Sequence, residues 1–351
     1  MTVAGSETIS TVCDRRNTTM RLGLAGTGRI GTAHAETLKG FDEVESVVVA
    51  DVDTARAASA AAKLGVESAS LDELFAAGLD GLVVTAATDA HPGLIIAAVD
   101  AGLPVFCEKP VAADIPGTLA VIDRIGASDV PVQIGFQRRF DAGYAAARAA
   151  VASGELGWLH TLRATTFDPA PPPAEYVAHS GGLFRDCGVH DFDIIRWVSG
   201  REVDEVYAIG ANRGEQFFRD AGDVDTAAAT LTLDDGTLAT VSLTRYNGAG
   251  YDVRLDVLGS VSGVVVGLDD RAPLRSVEPG VAPLPGPAYP GFMERFRPAY
   301  TTELRAFLDV VAGRAPSPCG AADALEAFYI AEACEVSRRE RRPVKLAEVR
   351  R

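Results

Sequence analysis

The pattern of apolar and polar positions changes character once along the chain. Up to Phe136, short and mostly apolar runs at 21–25, 47–50, 81–85, 105–107 and 132–136 alternate with longer stretches. Those stretches, at 32–39, 55–64, 71–77, 91–101 and 115–125, carry the spacing of helices. Strands that alternate with helices in this way predict an α/β fold, a doubly wound parallel sheet of the Rossmann type. Such sheets hold ligands at the carboxyl ends of their strands.

Beyond 136 the rhythm differs. A helix over 142–153 and a strand over 159–167 lead into 168–173, where proline is too dense for helix or central strand. A helix opening at Gly181-Gly182 follows, and then strand-like runs at 203–211, 227–233, 237–244, 251–258 and 263–267. Asp234-Asp235-Gly236 between two of these runs is a hairpin signal. A loop rich in proline and glycine over 269–291 precedes two helices at 300–312 and 321–339. This second half predicts an α+β domain, with a large, mostly antiparallel sheet and helices on one face. The expected division is 20–136 for the first domain and 137–345 for the second.

Composition narrows the function classes. With 351 residues and a net charge of −15, the chain is large enough for two cores and has no basic excess for nucleic acid or anionic membrane. No apolar run approaches the ~20 residues of a membrane span. The five cysteines, Cys13, Cys107, Cys187, Cys319 and Cys334, show no disulfide or zinc spacing, which fits a reducing cytoplasm. Residues 1–19 lack an apolar core for a secretory signal. They read as a disordered extension, or as a start placed upstream of Met20.

Three motifs carry chemistry. The first strand runs into Gly26-Thr27-Gly28-Arg29-Ile30-Gly31, where glycines allow a tight bend, close approach of a pyrophosphate and packing of helix on strand. The second strand ends at Asp51, about twenty residues on, where a carboxylate binds both ribose hydroxyls and repels a 2′-phosphate. No Lys or Arg follows at once, although Arg56 is near, so NAD is favoured over NADP. Thr85 ends the next strand, Thr88 lies in the loop after it at the sheet's carboxyl edge, and His91 opens a helix beside the cofactor. Glu108-Lys109-Pro110 closes another strand, which aims Lys109 into the crevice as a donor to a substrate oxygen. In the second half, Asp186 and His190 lie four apart on an expected helix, side by side on one face. A carboxylate that orients an imidazole suits a general base acting on an alcohol. Asp186 and His190 lack a third ligand at usable spacing, so no metal is expected. Cys187 points away from them and reads as packing, and His160 and His179 as structural or surface residues.

Taken together, the glycine turn, Glu108-Lys109-Pro110 and Gly181-Gly182…Asp186…His190-Asp191 resemble the glucose–fructose oxidoreductase/inositol dehydrogenase (Gfo/Idh/MocA) family over nearly all of 20–340. Gly135-Phe136-Gln137-Arg138-Arg139-Phe140-Asp141 and Tyr251-Asp252 are most similar to its inositol 2-dehydrogenase branch. The resemblance implies an NAD-dependent oxidation of a secondary alcohol on a cyclic polyol or sugar, with Lys109, Asp186 and His190 catalytic. It also implies substrate contacts from Arg138, Asp193 and Tyr251, and assembly into dimers or tetramers through the outer face of the second sheet. This chain carries Thr165-Thr166-Phe167 where myo-inositol enzymes tend to place a histidine, which leaves the isomer or sugar open. An NAD-dependent glycosidase on the same fold is an alternative. A non-enzymatic NAD-binding regulator is another, disfavoured because all three catalytic residues are present.

Overall fold

The computed structural model describes residues 19–350, so the reading of 1–19 as an extension lies, apart from Thr19, outside the described residues. Six strands form the first sheet: β1 (Met20–Ala25), β2 (Val44–Ala50), β3 (Glu67–Ala69), β4 (Gly81–Val84), β5 (Val105–Glu108) and β6 (Val132–Gly135). Their order is β3-β2-β1-β4-β5-β6, all parallel, with the reversal between β1 and β4. Both faces are buried, which explains the near-continuous apolar runs. β3 was not expected, because three polar or small residues carry no strand period.

Alternate residues of the strands feed two cores. Ala25, Val48, Leu82, Val84 and Cys107 belong to one. Leu22, Leu24, Val47, Val49, Val83 and Phe106 belong to the other, together with Ala35 and Leu38 of the helix Arg29–Lys39. That second core is completed by Leu304, Phe307, Leu308 and Val310 of the helix Arg297–Val311. This helix, expected within 137–345, packs on the first sheet, so the core there is built from both ends of the chain.

The second sheet holds β7 (Leu159–Phe167), β8 (Val203–Ala211), β9 (Thr226–Leu233), β10 (Leu238–Thr244), β11 (Asp252–Gly259), β12 (Gly263–Val266) and β13 (Val344–Lys345). The order is β12-β11-β7-β10-β9-β8-β13. It is mostly antiparallel, as expected, but β7 and β10 pair in parallel, which makes the sheet mixed. The helices Val189–Ser199 and Ala321–Glu340 cover one face, where Val206, Ala208, Ala229 and Leu231 are buried. The other face is open and shows Tyr207, Ile209, Leu238 and Val265 among threonines. Among the described residues no helix is long and apolar enough to cross a membrane.

Candidate active site

The carboxyl edge of the first sheet is shaped by its glycines. Gly26 has φ +104°, and a Cβ there would lie 2.4 Å from the backbone nitrogen of Ala86. A Cβ on Gly31 would lie 1.9 Å from the carbonyl oxygen of Gly26. Gly28 is different, because a Cβ there would meet nothing within 4 Å. That open ground fronts the helix Arg29–Lys39, whose N-cap makes no side-chain hydrogen bond. Free backbone N–H groups and the helix dipole together suit a pyrophosphate. Thr85 Oγ1 donates to the Gly26 carbonyl at 2.7 Å and fixes the turn. Ile30 is half-buried behind the exposed Arg29, whose guanidinium lies 4.7 Å from the Phe292 ring centre. Thr88 sits in a single turn, Thr88–Ala90.

At the end of β2, Asp51 accepts from Thr27 N at 2.7 Å, Thr27 Oγ1 at 2.9 Å and Asp53 N at 3.0 Å. Arg56 reaches the same carboxylate with Nε at 3.1 Å and Nη2 at 2.5 Å. Burial opposes ionisation, but these donors outweigh it and hold Asp51 well below the usual carboxylate range. An open glycine, an uncapped helix end and an anionic carboxylate at the second strand fit the pyrophosphate and ribose of NAD. His91 lies 2.7 Å from the carbonyl of Pro110 and 3.0 Å from that of Ala86, tying two strand ends together.

β5 ends at Glu108, whose Oε1 lies 2.7 Å from Nε2 of the buried His34. His34 gave no signal in the sequence beyond its place on the glycine helix. The Lys109–Pro110 peptide bond is cis. Lys109 Nζ donates to the Asp186 backbone oxygen at 3.0 Å and to Asp186 Oδ1 at 3.1 Å. Burial lowers the lysine's pKa, yet Asp186 outweighs it and keeps the ammonium charged.

Asp186 departs from the expected helix. The chain enters through Gly181 and Gly182, both at positive φ, and Asp223 Oδ1 accepts from Leu183 N at 3.0 Å. A π turn over Phe184–Gly188 then precedes the α-helix Val189–Ser199, so plain four-residue spacing does not describe Asp186 and His190. The Asp186 carboxylate is taken by other donors: Lys109, Tyr176 Oη at 2.8 Å to Oδ1, and Arg245 Nη2 at 2.6 Å to Oδ2. Burial pushes Asp186 up, but Lys109 and Arg245 prevail and hold it well below the carboxylate range. Arg245 also reaches Asp168 Oδ2 at 2.6 Å. Tyr176, Arg245 and Asp168 escaped the sequence reading, since they lie on a short helix and two strand ends far apart in sequence. The Tyr176 ring is half-exposed, but its hydroxyl end is desolvated beside Asp186 and its pKa is pushed up to about 12.

His190 therefore does not lean on Asp186. Its Nδ1 is enclosed with no hydrogen-bond partner among the described residues, which leaves Nε2 to meet the cleft. Phe136 packs edge-on against the ring, with centroids 5.8 Å apart. Burial, then Lys109 and Arg138, push its pKa well below the usual histidine value, against the weaker pull of Asp186. A lowered pKa favours the neutral imidazole, the form able to accept a proton.

The remaining expected residues divide. Arg138 is buried and reaches Asp191 Oδ1 at 2.6 Å and Thr166 Oγ1 at 2.9 Å. Thr166 donates on to Asp191, so the stretch Thr165-Thr166-Phe167, which carries no histidine, contributes to an ion-pair network. Asp193 is wholly buried, and both its oxygens accept from Arg139, at 2.9 and 2.6 Å. The Asp193 side chain is 0% exposed, so the expected substrate contact does not correspond to its place in the fold. Tyr251 is buried close to Arg138 and Asp168, next to the Arg245 cluster. Cys187 is buried, which raises its thiol pKa far above the ordinary value, in keeping with packing. Among the described residues no group of His, Cys, Asp or Glu is arranged to hold a metal ion.

Comparison with known proteins shows the family. Residues 20–136 match the model of an oxidoreductase family with an NAD-binding Rossmann fold, and 144–264 match the GFO/IDH/MocA C-terminal domain. A myo-inositol dehydrogenase of Streptomyces leeuwenhoekii is 39% identical over 322 residues, 91% of this chain and 97% of that one. The myo-inositol 2-dehydrogenase of Thermotoga maritima is 37% identical over 94% of this chain and 99% of its own. Among solved structures, scyllo-inositol dehydrogenase from Lactobacillus casei with bound NAD(H) and scyllo-inositol superposes with a TM-score of 0.85 at 30% identity. It covers 94% of this chain and 99% of that one. The chain thus belongs to the GFO/IDH/MocA oxidoreductases, with an NAD-binding Rossmann domain ahead of that family's own C-terminal domain.

Proposed function

We propose that this oxidoreductase oxidises a secondary alcohol of a cyclic polyol, an inositol first among them, with NAD as hydride acceptor. The observation that carries the reading is the placement of His190, with Nδ1 enclosed and unpartnered among the described residues, near Lys109, whose Nζ is held by Asp186 at the sheet's carboxyl edge. Burial pushes the imidazole pKa down and, against burial, Asp186 pushes that of the ammonium up. His190 accepts the hydroxyl proton at Nε2. Lys109 spends two of its three N–H donors on Asp186, and the third is free to stabilise the alkoxide as it forms. Asp186 acts on Lys109 as a positioning residue. NAD supplies the electrophilic carbon that takes the hydride. The relatives' names point to myo- and scyllo-inositol.

NADH formation at 340 nm across inositol isomers and aldoses tests the reading, with His190→Ala beside the wild type. One or a few inositols should turn over, and the variant should lose about 10²- to 10⁴-fold in kcat, the usual range for a general base. Release of a free sugar with no net NADH would replace the reading with a glycosidase, and undiminished turnover in His190→Ala would refute the base.

We also infer that the protein works in the cytoplasm as a dimer or tetramer. Cys107, Cys187, Cys319 and Cys334 are free and buried, in keeping with a reducing compartment. The open face of the second sheet exposes Ile209 and Leu238 over about half their surface (55% and 54%), which favours covering that face with a second copy. Sedimentation velocity reads the state directly, and a monomer at micromolar concentration would refute this assembly.

A further inference from the structure

The Asp51 carboxylate, expected to meet the ribose, is already saturated. It accepts five hydrogen bonds, from Thr27 N, Thr27 Oγ1, Asp53 N and two nitrogens of Arg56. A carboxylate offers about four lone-pair sites. A ribose diol binds such an aspartate by donating its hydroxyls, so it can enter only by taking a place that Arg56 holds. The backbone donors of Thr27 and Asp53 cannot yield, and the Thr27 side chain is buried at 5% exposure. Arg56 can. Half of its side chain is in solvent, and it stands on the exposed first turn of the helix Thr54–Leu64.

Arg56 also changes what a 2′-phosphate would meet. A bare buried aspartate repels that group, which is the usual basis of discrimination against NADP. Here the anion is matched by a guanidinium in direct contact, and the pair carries no net charge. Two of the five guanidinium N–H groups are engaged by Asp51, which leaves three for a phosphate in the planar geometry that arginine offers best. The residue directly after Asp51 is Val52, 85% exposed and apolar. Asp53, one residue on, caps the helix by accepting from Arg56 N at 3.0 Å, and Arg56 is the cation at this strand end.

We propose that Arg56 is a cofactor-selectivity residue that narrows the preference for NAD over NADP. It competes with the ribose of NAD for Asp51, and it recruits the 2′-phosphate of NADP. The two effects have opposite signs, which separates this role from a merely structural one.

Fluorescence titration of NADH and NADPH against the wild type, Arg56→Ala and Arg56→Lys tests the proposal without any turnover. Its outcome is therefore independent of whether a polyol is the substrate. In Arg56→Ala, NADPH should bind about tenfold more weakly, the size of one lost charge-assisted hydrogen bond to phosphate. NADH should bind as tightly as in the wild type or up to about threefold more tightly, since a surface ion pair no longer competes. Arg56→Lys should keep part of the NADPH affinity, because it retains the charge without the fork. An unchanged NADH/NADPH ratio in Arg56→Ala would overturn the proposal, as would equal weakening of both or NADPH binding too weak to measure in the wild type.

Discussion

Asp186 and Asp193 lie seven positions apart, both oppose arginines, and both are shielded from water, yet they behave as different kinds of group. Asp193 is sealed at 0% side-chain exposure, and Arg139 takes both its oxygens. Burial lifts its pKa above the ordinary aspartate value while Arg139 pulls the other way. Asp191, against Arg138 and Thr166, follows the same pattern. Asp186 keeps 10% of its side chain exposed and sits between two cations, Lys109 and Arg245, with Tyr176 as a third donor. Its pKa falls instead of rising. One arginine against full burial makes a structural tie, whereas two cations at the edge of a cleft make a fixed anion that can hold a lysine in place. The difference comes from how many cations converge and whether the pair touches solvent.

Removing each acid should separate the two roles. Asp193→Asn leaves Arg139 buried beside only Asp323, 3.1 Å away, and should cost about 3 kcal/mol, the low end for breaking a buried pair. Thermal unfolding should show a midpoint lower by about 4 °C, with kcat per folded molecule nearly unchanged. A large kcat loss at unchanged stability would reverse the assignment of Asp193.

Asp186→Asn should do the opposite. Arg245 keeps Asp168, so stability should change little, but Lys109 loses its charged anchor and kcat should fall about 10²-fold, the size of a misplaced catalytic group. The pH profile adds a readout that a structural role would not move. Neutral imidazole is the active form in oxidation. Because His190 is depressed, kcat/KM in the wild type should stay level as pH falls through 6.5 and decline only below it. Asp186 is the one neighbour that raises the His190 pKa, so in Asp186→Asn the acid limb should move lower still. A limb at pH 6.5 in both proteins would break the link between His190 and its cationic neighbours.

Much of this was legible in the sequence. Strands buried on both faces announce themselves as apolar runs, and β1, the glycine turn and Asp51 fell where strand, turn and spacing agree. Lys109 was legible because Glu108-Lys109-Pro110 ends such a strand. Less visible was which acid of Asp186, Asp191 and Asp193 faces the cleft. Sequence spacing treats the segment as one helix, but the π turn at Phe184–Gly188 breaks the register and arginines from elsewhere decide each partner. Arg245 and Asp168 meet only because β10 pairs in parallel with β7 and both strands end together, a register no local pattern encodes. Amphipathic spacing announced the helix Arg297–Val311 but not the sheet it would cover.

That last helix has a consequence for how the protein is made. Leu304, Phe307 and Leu308 close the core over Leu22, Leu24 and Val49. During synthesis the nucleotide-binding half emerges first, with one of its oily faces covered only in part, by the helix Arg29–Lys39. That face stays incompletely covered until nearly the whole polypeptide has left the ribosome. The halves are thus stitched together in time as well as in space, and a truncated product ending after the first sheet would carry an unshielded surface.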